Sequence, residues 1–259
     1  MQQQLKMAII QSNLVWENPE QNRRNFAEKI KQIKESVDII VLPEMFTSGF
    51  TMNPDHVSET MDGETIAWMK EIAIRSNSAI CGSLVISEKD NYYNRFVFST
   101  PEGDLECYDK RHTFTLAGEN KVYKAGNDRI IINYKGWKIH PLVCYDLRFP
   151  VWARNTEDYD LVMYVANWPK PRVNAWDALL KARAIENMSY CIGVNRVGYD
   201  NNNHEYSGHS AAYDGLGECI TDIKPNKEKT EIVTLKKNHL ETIRQKLKFL
   251  DDRDAFTLK

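Results

Sequence analysis

Three residues of this chain stand where chemistry could be done, and each follows a strand-like run. Cys144 ends Ile139-His140-Pro141-Leu142-Val143 and precedes Tyr145-Asp146-Leu147-Arg148-Phe149-Pro150. The run reads as a buried strand, and Arg-Phe-Pro reads as the start of a helix. A thiol at such an elbow is exposed at a sheet edge, where helix-terminal N–H groups can stabilise its thiolate. Glu44 follows Val37-Asp38-Ile39-Ile40-Val41-Leu42-Pro43. Pro43 cannot donate to a ladder and ends that strand, so Glu44 sits where α/β sheets keep their binding crevices. Lys110 follows the alternating stretch Leu105-Glu106-Cys107-Tyr108-Asp109.

Taken singly, each has a plainer reading. A lone cysteine in an apolar stretch is more often a small core residue. Acids and lysines after strands are mostly surface charges. Together they make a set suited to amide hydrolysis through a thioester. The carboxylate takes the thiol proton, the ammonium and the Tyr145 N–H hold a tetrahedral oxyanion, and the carboxyl returns a proton to departing ammonia.

The elements that must position this set alternate between strand and helix. Strands are expected at 7–11, 37–42, 79–86, 92–99, 105–109, 129–133, 138–144, 159–165, 190–194, 209–214, 217–223 and 230–235. Helices are expected from Asn18-Pro19 to about residue 35, and at 63–76, 174–187 and 238–248. Residues 46–61 form the longest expected loop and could overhang the site. Hairpins mixed with strand–helix units suggest two sheets face to face with helices outside.

Leu42-Pro43-Glu44, Tyr108-Asp109-Lys110-Arg111-His112 and Val143-Cys144-Tyr145-Asp146-Leu147-Arg148-Phe149-Pro150 resemble, in order, the three signature blocks of the nitrilase (carbon–nitrogen hydrolase) superfamily. The resemblance is strongest to its bacterial omega-amidase branch, through residues 144–152 and Tyr164-Val165-Ala166-Asn167-Trp168-Pro169. It implies a four-layer α-β-β-α sandwich over residues 1–259 as a single domain, and a homodimer or higher homo-oligomer whose C-terminal 238–259 helix and tail pack on the partner subunit. It implies Glu44 as general base, Lys110 as oxyanion-stabilising lysine, Cys144 as nucleophile, and Glu119 as a second glutamate positioning lysine and substrate. True nitrilases usually follow the cysteine with Trp-Glu; Tyr145-Asp146 here favours an amide over a nitrile. Relatives often carry His-Leu-Phe after the lysine, so Thr113 is expected to alter one wall of the pocket.

The implied reaction is hydrolysis of the terminal amide of short dicarboxylate monoamides, 2-oxoglutaramate or 2-oxosuccinamate, to a 2-oxo acid and ammonia. The alternatives are an N-carbamoyl amine hydrolase or simple aliphatic amidase and, from another class, a metal-dependent phosphodiesterase or a scaffold without chemistry. Arg148 could grip a substrate carboxylate or pair with Asp146. Trp168 could wall the pocket or serve the core. Arg183 and Glu186 read as a helical pair, and His112 as structural.

Composition fits a small-molecule enzyme. The chain has 259 residues and a net charge of −2, so no basic footprint for nucleic acid. Six histidines are dispersed without metal-ligand spacing, and no metal or other cofactor is expected. Five scattered cysteines suggest a reducing compartment, and all but Cys144 are expected in the core. No apolar leader or membrane-length run is visible, which points to the cytoplasm and no membrane partner.

Overall fold

The computed structural model describes residues 2–258; Met1 and Lys259, the ends of the expected domain and tail, lie outside the described residues. In chain order the elements are β1 (Gln4–Gln11), α1 (Pro19–Lys31), β2 (Ile39–Val41), α2 (Glu64–Ser76), β3 (Ala79–Glu88), β4 (Asn91–Ser99), β5 (Leu105–Asp109), β6 (Ile132–Tyr134), β7 (Trp137–Val143), α3 (Pro150–Ala153), β8 (Leu161–Ala166), α4 (Val173–Asn187), β9 (Tyr190–Asn195), β10 (Val197–Tyr199), β11 (Glu205–Ser207), β12 (Ala211–Tyr213), β13 (Lys229–Lys236) and α5 (Lys237–Leu247).

Two sheets form, in the orders β13-β1-β2-β3-β4-β5 and β12-β9-β8-β7-β6. Alternation along β1 explains the layering. Leu5, Met7 and Ile9 face the core between the sheets, while Ala8 and Ile10 face the layer of α1 and α2. The inner core continues through Trp137, Ile139 and Val143 of β7 to Trp176 and Leu180 of α4. These layers make the four-layer α-β-β-α sandwich expected from sequence. Helix α1 starts as its residues dictate: Asn18 Oδ1 caps Gln21 N at 3.0 Å and Pro19 takes the first turn.

Strand direction places the site. β2 and β3 are parallel, and two antiparallel reversals through β4 return β5 to the direction of β2. β7 and β8 are also parallel. The segments after β2, β5, β7 and β8 therefore carry Glu44, Lys110, Cys144 and Asn167 just past strand C-termini.

Four expectations are corrected. Residues 217–223 form no strand: only the bridge Cys219↔Tyr213 remains, because Asp214 Oδ1 accepts from Leu216 N and Glu218 N and closes a turn. The hairpin of β10 and β11 is additional. The turn after β7 begins at Cys144 itself, as 3₁₀ helix over Cys144–Arg148 ahead of α3. Of the cysteines expected in the core, Cys81 and Cys191 are buried, Cys107 is half-buried and Cys219 is exposed.

Candidate active site

Cys144 leaves β7 with φ of 45°, a left-handed conformation that turns the chain sharply and puts the thiol at the cavity wall. Asp146 holds this elbow. Its buried carboxylate accepts from Val143 N (3.0 Å), His112 N (2.9 Å) and Tyr108 Oη (2.8 Å), and lies 2.8 Å from His112 Nδ1. His112 stacks on Phe149 at 3.6 Å, so its role is structural, as expected. Asp146 is thus committed to the elbow, and Arg148 does not pair with it. The Arg148 guanidinium instead lies over the Trp168 ring at 5.0 Å.

Lys110 is buried among acids and an aromatic ring at the edge of the cavity. Its Nζ donates to Glu44 Oε1 and to both Glu119 oxygens, at 2.9 Å each, and sits 5.2 Å from the centre of the Phe50 ring. Burial alone would lower its pKa, but the Glu119 and Glu44 carboxylates outweigh that and hold the ammonium charged. Glu119 is itself pushed upward by burial against the pull of Lys110. It also accepts from Phe114 N. The two glutamates are tied together by Asn94, whose Nδ2 donates to Glu44 Oε1 at 2.8 Å and Glu119 Oε1 at 3.2 Å.

The Cys144 thiol departs from the sequence expectation of a stabilised thiolate. Burial, and the charge and hydrogen bonding of Glu44, push it well above the usual thiol range, with Lys110 opposing. This environment favours the thiol over the thiolate and places a proton acceptor, Glu44, beside it.

Cys144 and Lys110 open on a cavity of about 500 Å³. Tyr145, Trp168 and Arg148 line it, as do Phe50, Phe114 and Arg172. Trp168 serves both readings made of it: it is a cavity wall and is buried against Trp176 at 5.5 Å. Phe114, rather than Thr113, contributes the wall expected to vary. The residues missed in sequence are Arg172, Asn94, Asn167 as a Glu44 partner, and the β10–β11 hairpin, which adds Asp200, Asn202, His204 and Tyr206 to the lining. Asn167 carried a usable signal, because it follows β8 as Glu44 follows β2. Arg183 and Glu186 pair at 2.8 Å, as expected. Among the described residues no group of three His, Cys, Asp or Glu side chains could hold a metal ion.

Comparison with known proteins matches residues 6–245 to the carbon–nitrogen hydrolase family. Omega-amidase YafV of Yersinia enterocolitica is 43% identical over 254 residues, covering 98% of each chain. A 2-oxoglutaramate amidase of Bacillus subtilis is 29% identical, covering 83% of this chain and 85% of its own. The crystal structure of XC1258 from Xanthomonas campestris, a CN-hydrolase superfamily protein with an arsenic adduct in its active site, superposes with a TM-score of 0.97 at 39% identity, covering both chains completely. The sandwich, the three elbows and these matches lead to one assignment: the chain belongs to the carbon–nitrogen hydrolase family, on the omega-amidase branch of the nitrilase superfamily.

Proposed function

We propose that this protein is a cysteine-dependent omega-amidase, hydrolysing the terminal amide of short dicarboxylate monoamides such as 2-oxoglutaramate to the 2-oxo acid and ammonia. One observation carries the reading. The cavity that holds Cys144 and Lys110 is also lined by Arg148 and Arg172, whose guanidiniums pack on Trp168 (5.0 Å) and Phe114 (5.1 Å) and have no carboxylate partner among the described residues. Two unmatched cations beside a nucleophile suit a substrate with an amide at one end and a carboxylate at the other. N-carbamoyl amines or simple aliphatic amides would leave both guanidiniums without a role. The names of the YafV and 2-oxoglutaramate amidase relatives point the same way.

In this mechanism Glu44 accepts the Cys144 proton while Sγ attacks the amide carbon. Lys110 Nζ and the Tyr145 N–H stabilise the oxyanion. Glu44 returns the proton to nitrogen, ammonia departs and a thioester remains. Water, deprotonated by Glu44, attacks the thioester carbon; the C–S bond breaks and the thiol regains its proton. Glu119 holds Lys110 in place throughout.

We further propose that residues 1–259 work as one domain, as a homodimer in the cytoplasm. The inner core is shared by strands of both sheets. Exposed apolar side chains remain on the outer helices, at Val151 and Ile185, and in the C-terminal tail at Phe249 and Phe256. Five free thiols suit a reducing compartment.

The test is ammonia release from 2-oxoglutaramate by wild type and Cys144→Ala, beside a panel of neutral aliphatic and N-carbamoyl substrates. Release by wild type alone, with the dicarboxylate monoamide preferred, supports the reading. Preference for uncharged amides would overturn it.

A further inference from the structure

We propose that Asn94 is a positioning residue for the reaction, holding Glu44 as a base directed at Cys144. The inference rests on the reading of Glu44 as base. Asn94 lies on β4, opposite Val85 of β3, and is buried. A polar side chain there needs partners, and those of its amide nitrogen are the two glutamates of the site. Its main-chain carbonyl accepts from Lys110 N at 3.0 Å, fixing where that lysine begins. Its Nδ2 bridges Glu44 Oε1 and Glu119 Oε1.

The direction of this bridge is set by a relay. Ser83 Oγ accepts from Met45 N at 2.8 Å, next to Glu44 itself. Its hydroxyl proton is then free to go to Asn94 Oδ1, 2.8 Å away. With Oδ1 engaged as acceptor, the amide must turn its NH₂ toward the two carboxylates. Met45 holds φ of 41°, so the bond from its N–H to Ser83 also supports the turn that presents Glu44.

The electrostatics explain why a neutral donor belongs here. Two buried carboxyl groups share one ammonium away from water, and burial already pushes Glu119 upward. Without the Asn94 donor, the simplest relief is for a carboxyl to take up a proton. A proton on Glu44 would remove the base.

The experiment compares Asn94→Asp, Asn94→Ala and Ser83→Ala with wild type in two assays. One is ammonia release from 2-oxoglutaramate. The other is alkylation of Cys144 by iodoacetamide, read by peptide mass so that exposed Cys219 does not interfere. Both run from about pH 5 to about pH 10. Asn94→Asp is isosteric and replaces the donor with an acceptor. Its kcat should fall roughly 100-fold or more with KM within about threefold, and the acid limb of both profiles should move up by about one pH unit. Asn94→Ala and Ser83→Ala should move the limbs the same way, Ser83→Ala least.

Unchanged limbs in folded variants would overturn the proposal, even if kcat fell, because a purely structural defect leaves the pH profile in place. If both Asn94 variants fail to fold, Ser83→Ala decides on the same criterion. If wild type releases no ammonia, the omega-amidase reading fails while the alkylation profiles still judge Asn94.

Discussion

Asn167 clasps Glu44 from the opposite sheet: its backbone N–H donates to Glu44 Oε2 at 2.7 Å and its Nδ2 to the Glu44 main-chain carbonyl at 2.6 Å. One residue at the end of β8 thus fixes both the side chain and the backbone of Glu44. Asn167→Ala keeps the first bond and loses the second, leaving a buried carbonyl unpaired. Urea denaturation should show a loss of about 1–3 kcal/mol, and kcat should fall by roughly tenfold. Wild-type values for both would show that the clasp is not needed.

Cys144→Ala should reduce turnover by on the order of 10⁴-fold or more while the melting temperature stays close to wild type. Residual turnover near wild type would end the thioester mechanism.

Lys110→Ala should lower kcat by about 10²–10³-fold through the missing oxyanion donor. It should also destabilise the fold by about 3–5 kcal/mol, since two buried carboxylates lose their cation. Calorimetry alongside kinetics separates the two effects. A fully active variant would remove Lys110 from the oxyanion site.

For the guanidiniums, Arg172→Ala and Arg148→Ala should each reduce kcat/KM for 2-oxoglutaramate by roughly 10–100-fold, mainly through KM. Hydrolysis of a neutral aliphatic amide by the same variants should hardly change. Equal losses on both substrates would mean that the arginines shape the pocket rather than grip a carboxylate.

Acid stability should carry the signature of His140. Burial, with Arg129 nearby, lowers its pKa from about 6.5 to about 4. Its Nδ1 lies 2.9 Å from the Ile130 carbonyl. Because the unfolded state binds the proton more readily, this group's contribution is complete above about pH 6.5. It is lost as pH falls toward about 4, for a total of roughly 3 kcal/mol. His140→Gln should flatten that part of the stability–pH curve. A curve of unchanged slope would show that other groups set it.

The three elbows were legible because each interrupts a pattern: an apolar run stops before Glu44 and Cys144, an alternating one before Lys110, and a residue with chemistry follows. The layering was legible from the same runs, since residues such as Ile39 and Ile40 are buried on opposite faces of one strand. Asn94 was not legible, because nothing in Tyr93-Asn94-Arg95 signals that two acids far along the chain will converge on it. Arg172 is one cation in a Lys-Pro-Arg turn, and only the folded pocket shows that it has no acidic partner. The β10–β11 hairpin escaped because its strands are three residues each and its connection is a polar Asp-Asn-Asn-Asn-His stretch.

The proposed base and nucleophile stand on different sheets, Glu44 beyond β2 and Cys144 beyond β7. Neither sheet alone is half an enzyme; it is none. During refolding, regained turnover should therefore trail the far-ultraviolet dichroism signal, because local hydrogen bonding precedes the joining of distant chain segments. On that expectation, activity would report the final docking event, and a chain arrested before it would look structured yet be catalytically silent.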